Sequence, residues 1–342
     1  MIRAFAFLLL PFAAQAETLR VATFNTELSR DGPGLLLRDI QRGDPQVSGV
    51  VRILTEIQPD VVALQGIDWD HDGLALIALN QELSKSGLDY PHVFAPQPNS
   101  GRQTDVDLYG DGKTNGPGDA QGWGRFTGQG GLAVLSRYPI AHQDALNFSD
   151  LIWRAVPGAN LPVQNGSPFP SKQALSVQRL SSTGHWVVPI DAPDGQFHLM
   201  TFHASPPVFD GPEDRNGRRN WDEIRFWQLF LDGAFGPAPD NRFVIAGDAN
   251  LDSHLGEGHK AAIRDLLADN RIQDPRPSDA HGSLSTVSWK GVGKLRVDYV
   301  LPSTDWSVAD AGVYRPVPGS PGNDVQSDAS RHYLVWVDLV ID

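Results

Sequence analysis

The feature that most limits what this chain can fold into is a series of short apolar runs that stop on Asn, Asp or His. Runs this short, bounded by Gly, Pro, Asn and Asp, read as β-strands. They cover Leu19–Phe24, Asp60–Leu64, Gly131–Ser136, Gln173–Leu180, His198–His203, Phe243–Ala246, Val297–Leu301 and Leu334–Ile341. Helical spacing occurs at Val50–Gln58, with Val50, Ile53, Leu54 and Ile57 on one face, and at Asn220–Leu231, with Ile224, Trp227, Gln228 and Leu231 on one face. Gly258–Leu267 reads as a further helix. Strands and helices mix without strict alternation. The predicted fold is therefore α+β, a four-layer α/β/β/α sandwich of two packed mixed sheets with outer helices. No linker composition divides the chain. Residues 17–342 read as a single domain, with Pro96–Gly130, rich in Gly, Asp and Asn, as an insertion loop inside it.

Composition removes several alternatives. At 342 residues with 40% hydrophobic and 20% charged residues, the chain is globular and long enough to bury a sizeable core. It has no cysteine, which excludes disulfides, thiolate metal sites and cysteine catalysis. A net charge of −13 argues against a broad basic nucleic-acid surface, but not against a phosphate held locally by a metal ion and a few arginines. Met1-Ile2-Arg3, the apolar stretch Ala4–Ala14 and Ala14-Gln15-Ala16 form a signal-peptide pattern over residues 1–16. The mature protein is expected to be exported, periplasmic or secreted. No later stretch is long enough for a membrane span, and no protein partner is implied.

Polar residues recur where strands end: Asn25, Gln65 to Asp68, His203, Gly247-Asp248-Ala249-Asn250, Asp298-Tyr299 and Arg331-His332. Strand ends are common places to build active sites. Asp and Asn oxygens suit hard cations such as Mg²⁺ or Mn²⁺, and histidines beside them can bind phosphate or move protons. Singly, each segment also reads as a turn or a satisfied strand end. The ordered set reads as a site for phosphoester hydrolysis, which needs charge neutralisation, an oriented water and phosphate-holding groups.

In order and spacing these segments resemble the endonuclease/exonuclease/phosphatase superfamily, with its deoxyribonuclease-I-like fold. The resemblance implies a metal-site role for Asn25, phosphate binding by His203, water orientation by Asp248, and a phosphate and metal contact from Asn250. It also implies that Asp298 orients His332. Two positions depart from the family pattern. Gln65 is followed by Gly66 where the family has a metal-ligating Glu, and Ser330-Arg331-His332 replaces Ser-Asp-His. Side chains two apart on a strand share a face, so Asp68 is expected to take over metal ligation, with Asp70 next in the row.

Arg331 is a candidate for holding phosphate bidentately. Arg215, Arg218 and Arg219, at the start of the predicted helix, are candidate substrate-binding residues. Asp105, Asp107 and Asp111, among glycines, form a candidate structural Ca²⁺ loop. The expected activity is a divalent-metal-dependent phosphoester hydrolase, a nuclease, phosphodiesterase or phosphatase. Its substrate would be a small phosphoester, a nucleotide or a nucleic acid. The alternative is a catalytically silent exported binding protein that retains the fold.

Overall fold

The computed structural model describes residues 17–316, 326 and 328–341. The signal-peptide pattern at 1–16 lies outside the described residues. One six-stranded sheet runs in the order β14 (Val308–Val313), β15 (Val335–Val340), β1 (Thr18–Asn25), β2 (Val61–Ile67), β4 (Gly131–Ser136) and β3 (His92–Phe94). A five-stranded sheet runs β13 (Asp298–Pro302), β10 (Phe243–Asp248), β9 (Gly195–His203), β8 (His185–Ala192) and β5 (Leu146–Asn147). Two small hairpins stand apart, β6 (Val163–Gln164) with β7 (Ser167–Pro168), and β11 (Val287–Trp289) with β12 (Gly293–Leu295).

Alternation along the central strands builds the layers. Val21, Val61 and Ala63 face Val188, Leu199, Val244, Ala246 and Val300 in a core between the sheets. Their neighbours Ala22, Phe24, Val62 and Leu64 point the other way, against α1 (Leu35–Gln41), α2 (Pro45–Ile57) and α3 (Leu74–Lys85). On the far side, Met200, Phe202, Phe243, Ile245 and Leu301 pack on α5 (Arg215–Leu231) and α6 (Ala261–Leu267). A period of two on strands and an apolar stripe on each helix give the predicted four-layer sandwich. The caps are local: Asp44 accepts from the Gln46 and Val47 amides at 3.0 and 3.3 Å, and Pro45 opens α2.

One predicted strand is wrong. Within Gln173–Leu180, Lys172–Val177 forms a short helix, α4, because Ser171 Oγ accepts the Ala174 amide at 3.0 Å and caps its start. The insertion at Pro96–Gly130 is tied down at several points. Asn99 Nδ2 donates to Ser149 O at 2.7 Å and Ser181 O at 2.8 Å. A Cβ at Gly122 would fall 1.7 Å from Ser182 O, so only glycine permits that approach.

His185 opens β8 fully buried, between Ser181 Oγ at 3.0 Å and Glu223 O at 2.8 Å. Burial pushes its pKa down to about 4. The folded value lies below the ordinary one, so this stability is complete above about pH 6.5 and is lost as pH falls toward 4. At pH 5 wild type is expected to lose about 2 kcal/mol more than His185→Gln, measured by urea denaturation at pH 8 and pH 5. Parallel losses in both proteins would refute the assignment.

Candidate active site

Strand β10 is hydrogen-bonded on both edges. It pairs parallel with β9, where Asp248 lies opposite His203, and antiparallel with β13, where Asp248 lies opposite Asp298. Three polar side chains therefore meet at one end of the second sheet. The first sheet supplies Asn25 from the end of β1 and His332 from just before β15. Asn25 Nδ2 donates to Asp248 Oδ2 at 2.9 Å across the sandwich. The Asn250 amide donates to Asp248 Oδ1 at 2.7 Å. Asn250, at φ +50°, sends its Nδ2 to Ala204 O at 3.0 Å.

The two histidines differ in their partners. His332 Nδ1 lies 3.0 and 3.2 Å from the Asp298 oxygens and 3.9 Å from Asp248 Oδ2, and Trp289 packs edge-on against its ring. Burial opposes its charge, but the Asp298 carboxylate beside it, helped by Asp248 and Glu27, pushes the pKa up to about 9. His203 Nε2 lies 3.4 Å from Asp248 Oδ2, and its Nδ1 is buried with no hydrogen-bond partner. Burial holds its pKa below the ordinary histidine value, with Asp248 acting in the opposite sense. Burial, and then the charge of Asp298, raise the pKa of Asp248.

Asp248, Asp298 and His332 are the only group of three or more acidic, histidine or cysteine residues among the described residues whose ligand atoms all lie within 4.8 Å of one another. With His332 keeping its proton against Asp298, the donors left for a cation are the oxygens of Asp248, with the Asn25 amide oxygen alongside. Such a set fits a hard divalent cation.

The sequence profile of the Endonuclease/Exonuclease/phosphatase family matches residues 22–332. This chain belongs to that family. No curated protein matches it. Among solved structures it resembles an endonuclease/exonuclease/phosphatase from Beutenbergia cavernae at 19% identity and TM-score 0.58, covering 95% of this chain and 72% of the other. Sphingomyelinase C from Streptomyces griseocarneus superposes at 18% identity and TM-score 0.52, covering 94% and 99%. The human Nocturnin catalytic domain does so at 14% identity and TM-score 0.50, covering 95% of each. At these identities the solved structures show the fold alone.

In this endonuclease/exonuclease/phosphatase family member the structure brings Asn25, His203, Asp248, Asn250, Asp298 and His332 together, and it places the other candidates elsewhere. Asp68 is not in the cluster. Its oxygens accept from the Arg30 amide at 2.8 Å and the Gly130 amide at 2.9 Å, so it clamps two loops. The alternation that was expected to aim it at the site breaks at Gly66, where φ is +68° and the register with β4 shifts. Asp70 instead caps α3, accepting from Leu74 and Ala75 amides at 2.8 Å.

The arginines all have partners within the fold. Arg219 is buried and donates to the carbonyls of Leu180, Gln121 and Arg179. Arg215 donates to Leu108 O at 2.8 Å and lies over the Tyr109 ring. Arg218 binds Asn160 Oδ1 at 2.6 Å. Arg331 pairs through its guanidinium with Glu27, whose other oxygen accepts the Arg331 amide at 2.8 Å.

Asp105, Asp107 and Asp111 do not gather around a common centre. Asp107 accepts from the Gly110 and Gly112 amides and Asp111 from the Lys113 amide, which are separate turns. Asp105 sits in a left-handed turn at φ +57°. Among the described residues these carboxylates therefore do not converge as the predicted Ca²⁺ loop would need. Buried Asp119 organises the segment instead, accepting from the Leu108, Tyr109 and Gly116 amides.

Sequence reasoning missed Glu27. Its amide donates to Asn25 Oδ1 at 3.2 Å, and its carboxylate meets Ser330 Oγ at 3.3 Å as well as Arg331. Although burial works against ionisation, Arg331 and the charge of His332 hold its carboxyl below the usual range. No sequence period points to it, because β1 ends at Asn25 and Glu27 lies beyond it at φ +50°.

A Cβ at position 66 would fall 2.4 Å from Asn25 Oδ1 and 3.1 Å from the Glu27 amide nitrogen. Gly66→Ala is expected to lower stability by about 1–3 kcal/mol in urea denaturation, because φ and space are both wrong for a side chain. Unchanged stability would mean that the Asn25–Glu27 segment shifts freely.

Proposed function

We propose that this chain is an exported, divalent-metal-dependent phosphoester hydrolase. The observation that carries the reading is the in-register meeting of His203, Asp248 and Asp298, with His332 held against Asp298. The family match supports phosphoester chemistry, and the pattern at residues 1–16 supports export to the periplasm or beyond.

Each residue has a part. Asp298 fixes the His332 ring and keeps its proton, so His332 presents a cationic N–H donor to a phosphoryl oxygen. Asp248, whose affinity for a proton is raised, accepts one from the attacking water. His203 and Asn250 flank Asp248 and bind the remaining phosphoryl oxygens. Asp248 and Asn25 would hold Mg²⁺ or Mn²⁺, which supplies neutralisation of the charge on those oxygens. The substrate is a phosphoester that reaches a site on an acidic protein, a small phosphoester or nucleotide in preference to long duplex DNA. Among the described residues no helix is long and apolar enough to cross a membrane.

The test uses mature protein with bis-p-nitrophenyl phosphate, p-nitrophenyl phosphate and plasmid DNA, each with EDTA, Mg²⁺, Mn²⁺ or Ca²⁺. Turnover that EDTA abolishes and that His332→Ala lowers by about 10²–10⁴-fold is expected. No turnover with any ion would refute the hydrolase and favour a silent binding protein, and activity indifferent to His332→Ala would refute the role given to His332.

A further inference from the structure

The β9–β10 ladder sets His203 opposite Asp248, but the chain leaves both strands at once, through Ala204–Ser205 on one side and Ala249–Asn250 on the other, and those two loops lie beyond the ladder. Two backbone-linked contacts join them directly. The Ala204 amide donates to Asp248 O at 2.9 Å, and Asn250 Nδ2 donates to Ala204 O at 3.0 Å. A third group comes from outside both loops. Asn220, on the inner face of α5 and fully buried, donates through Nδ2 to Ser205 O at 2.8 Å and to Ala249 O at 2.7 Å.

We propose that Asn220 is a positioning residue for the hydrolytic site, a two-pronged staple that fixes the loops leaving His203 and Asp248, and with them Asn250. This inference rests on the proposed hydrolase reading. Both hydrogens of one amide are spent on carbonyls of different loops, one residue beyond Asp248 and two beyond His203. The other end of the same amide, Oδ1, is buried with no partner. A buried acceptor without a partner costs stability. The side chain is therefore placed for its two donors and not for a balanced set of bonds. The orientation is fixed as well, because turning the amide over would set Oδ1 against two carbonyl oxygens.

One helical turn further, Glu223 strengthens the same arrangement. Its carboxylate accepts the Ser205 amide at 2.6 Å and the Ser182 amide and hydroxyl at 2.6 and 2.7 Å, while Ser182 Oγ also reaches His203 O at 3.3 Å. Positions three apart lie on one helix face. Asn220 and Glu223 thus make α5 a rigid rail on which the His203 loop is registered, and Asn220 alone extends that registration to the Asp248 loop.

The neighbouring residue Asp222 provides the control. It is equally buried but serves other partners, Trp153 Nε1 at 2.7 Å and the Asn160 amide at 2.6 Å. Asn220→Asp keeps shape and removes both donors, Asn220→Ala removes the side chain, and Asp222→Asn disturbs the same helix without touching either loop. Because a small misplacement of reacting groups costs about 10²-fold, kcat on bis-p-nitrophenyl phosphate is expected to fall by about that factor in both Asn220 variants. KM should change by less than about three-fold, since the ground-state contacts remain. Asp222→Asn should lose thermal stability yet keep kcat.

Amide exchange is the second readout and needs no turnover. The peptides covering 203–206 and 248–251 should both exchange faster in Asn220→Ala and neither in Asp222→Asn. Asn220 variants that match Asp222→Asn in kcat, or whose two loops exchange as in wild type, would overturn the staple. A wild-type protein without turnover would instead refute the hydrolase reading, and the exchange result would still decide whether Asn220 couples the loops.

Discussion

Everything at the functional end depends on β10 being hydrogen-bonded along both edges. Its parallel register with β9 and antiparallel register with β13 bring His203 and Asp298 to either side of Asp248. Backbone pairing, not side-chain attraction, puts two carboxylates next to each other. Their mutual repulsion and burial raise the proton affinity of Asp248, and the same field holds a proton on His332. The unusual electrostatics are thus a consequence of sheet register, sustained by three packed cores that fix how the sheets face each other.

The sequence carried the four layers because alternation on Leu19–Phe24, Asp60–Leu64 and Phe243–Ala246 is a property of each strand by itself. It also carried the six residues that gather at the strand ends, since each stands at or within three residues of the end of an apolar run. What it could not carry was the local break at Gly66. Asp68 was expected on the face of position 66 by a rule that holds only while the strand stays regular, and a bulge at a positive φ cancels it. Glu27 escaped notice for the converse reason. It lies past the end of β1 at φ +50°, where no period applies, and only the fold brings it to Arg331.

The basic cluster on α5 shows a different limit. Arg215 and Arg219 lack the apolar period, so periodicity alone starts the helix at Asn220, whereas α5 starts at Arg215. Both are buried donors to carbonyls of irregular chain, of Leu108 and of Leu180, Gln121 and Arg179. A long insertion has no ladder of its own, so its buried carbonyls need donors from elsewhere. Guanidinium groups, with several N–H donors each, satisfy them from a helix. Arginines facing such an insertion can be part of its folding and carry no information about substrate.

The charges around the site then follow from pairing. Asp298 is answered by His332 and Glu27 by Arg331, so both nearby cations are already engaged by carboxylates. Asp248 shares His332 with Asp298, at the longer distance of 3.9 Å against 3.0 Å. It is buried and held by the neutral amide of Asn25 and the backbone amide of Asn250. A phosphoester brings further negative charge to this point. Beyond the cationic His332, a proton on Asp248 or a divalent cation beside it would offset that charge, and the first would remove the base that water attack requires. On the proposed reading a divalent cation at Asp248 is the offset that leaves the base free, whatever the side chain at position 66.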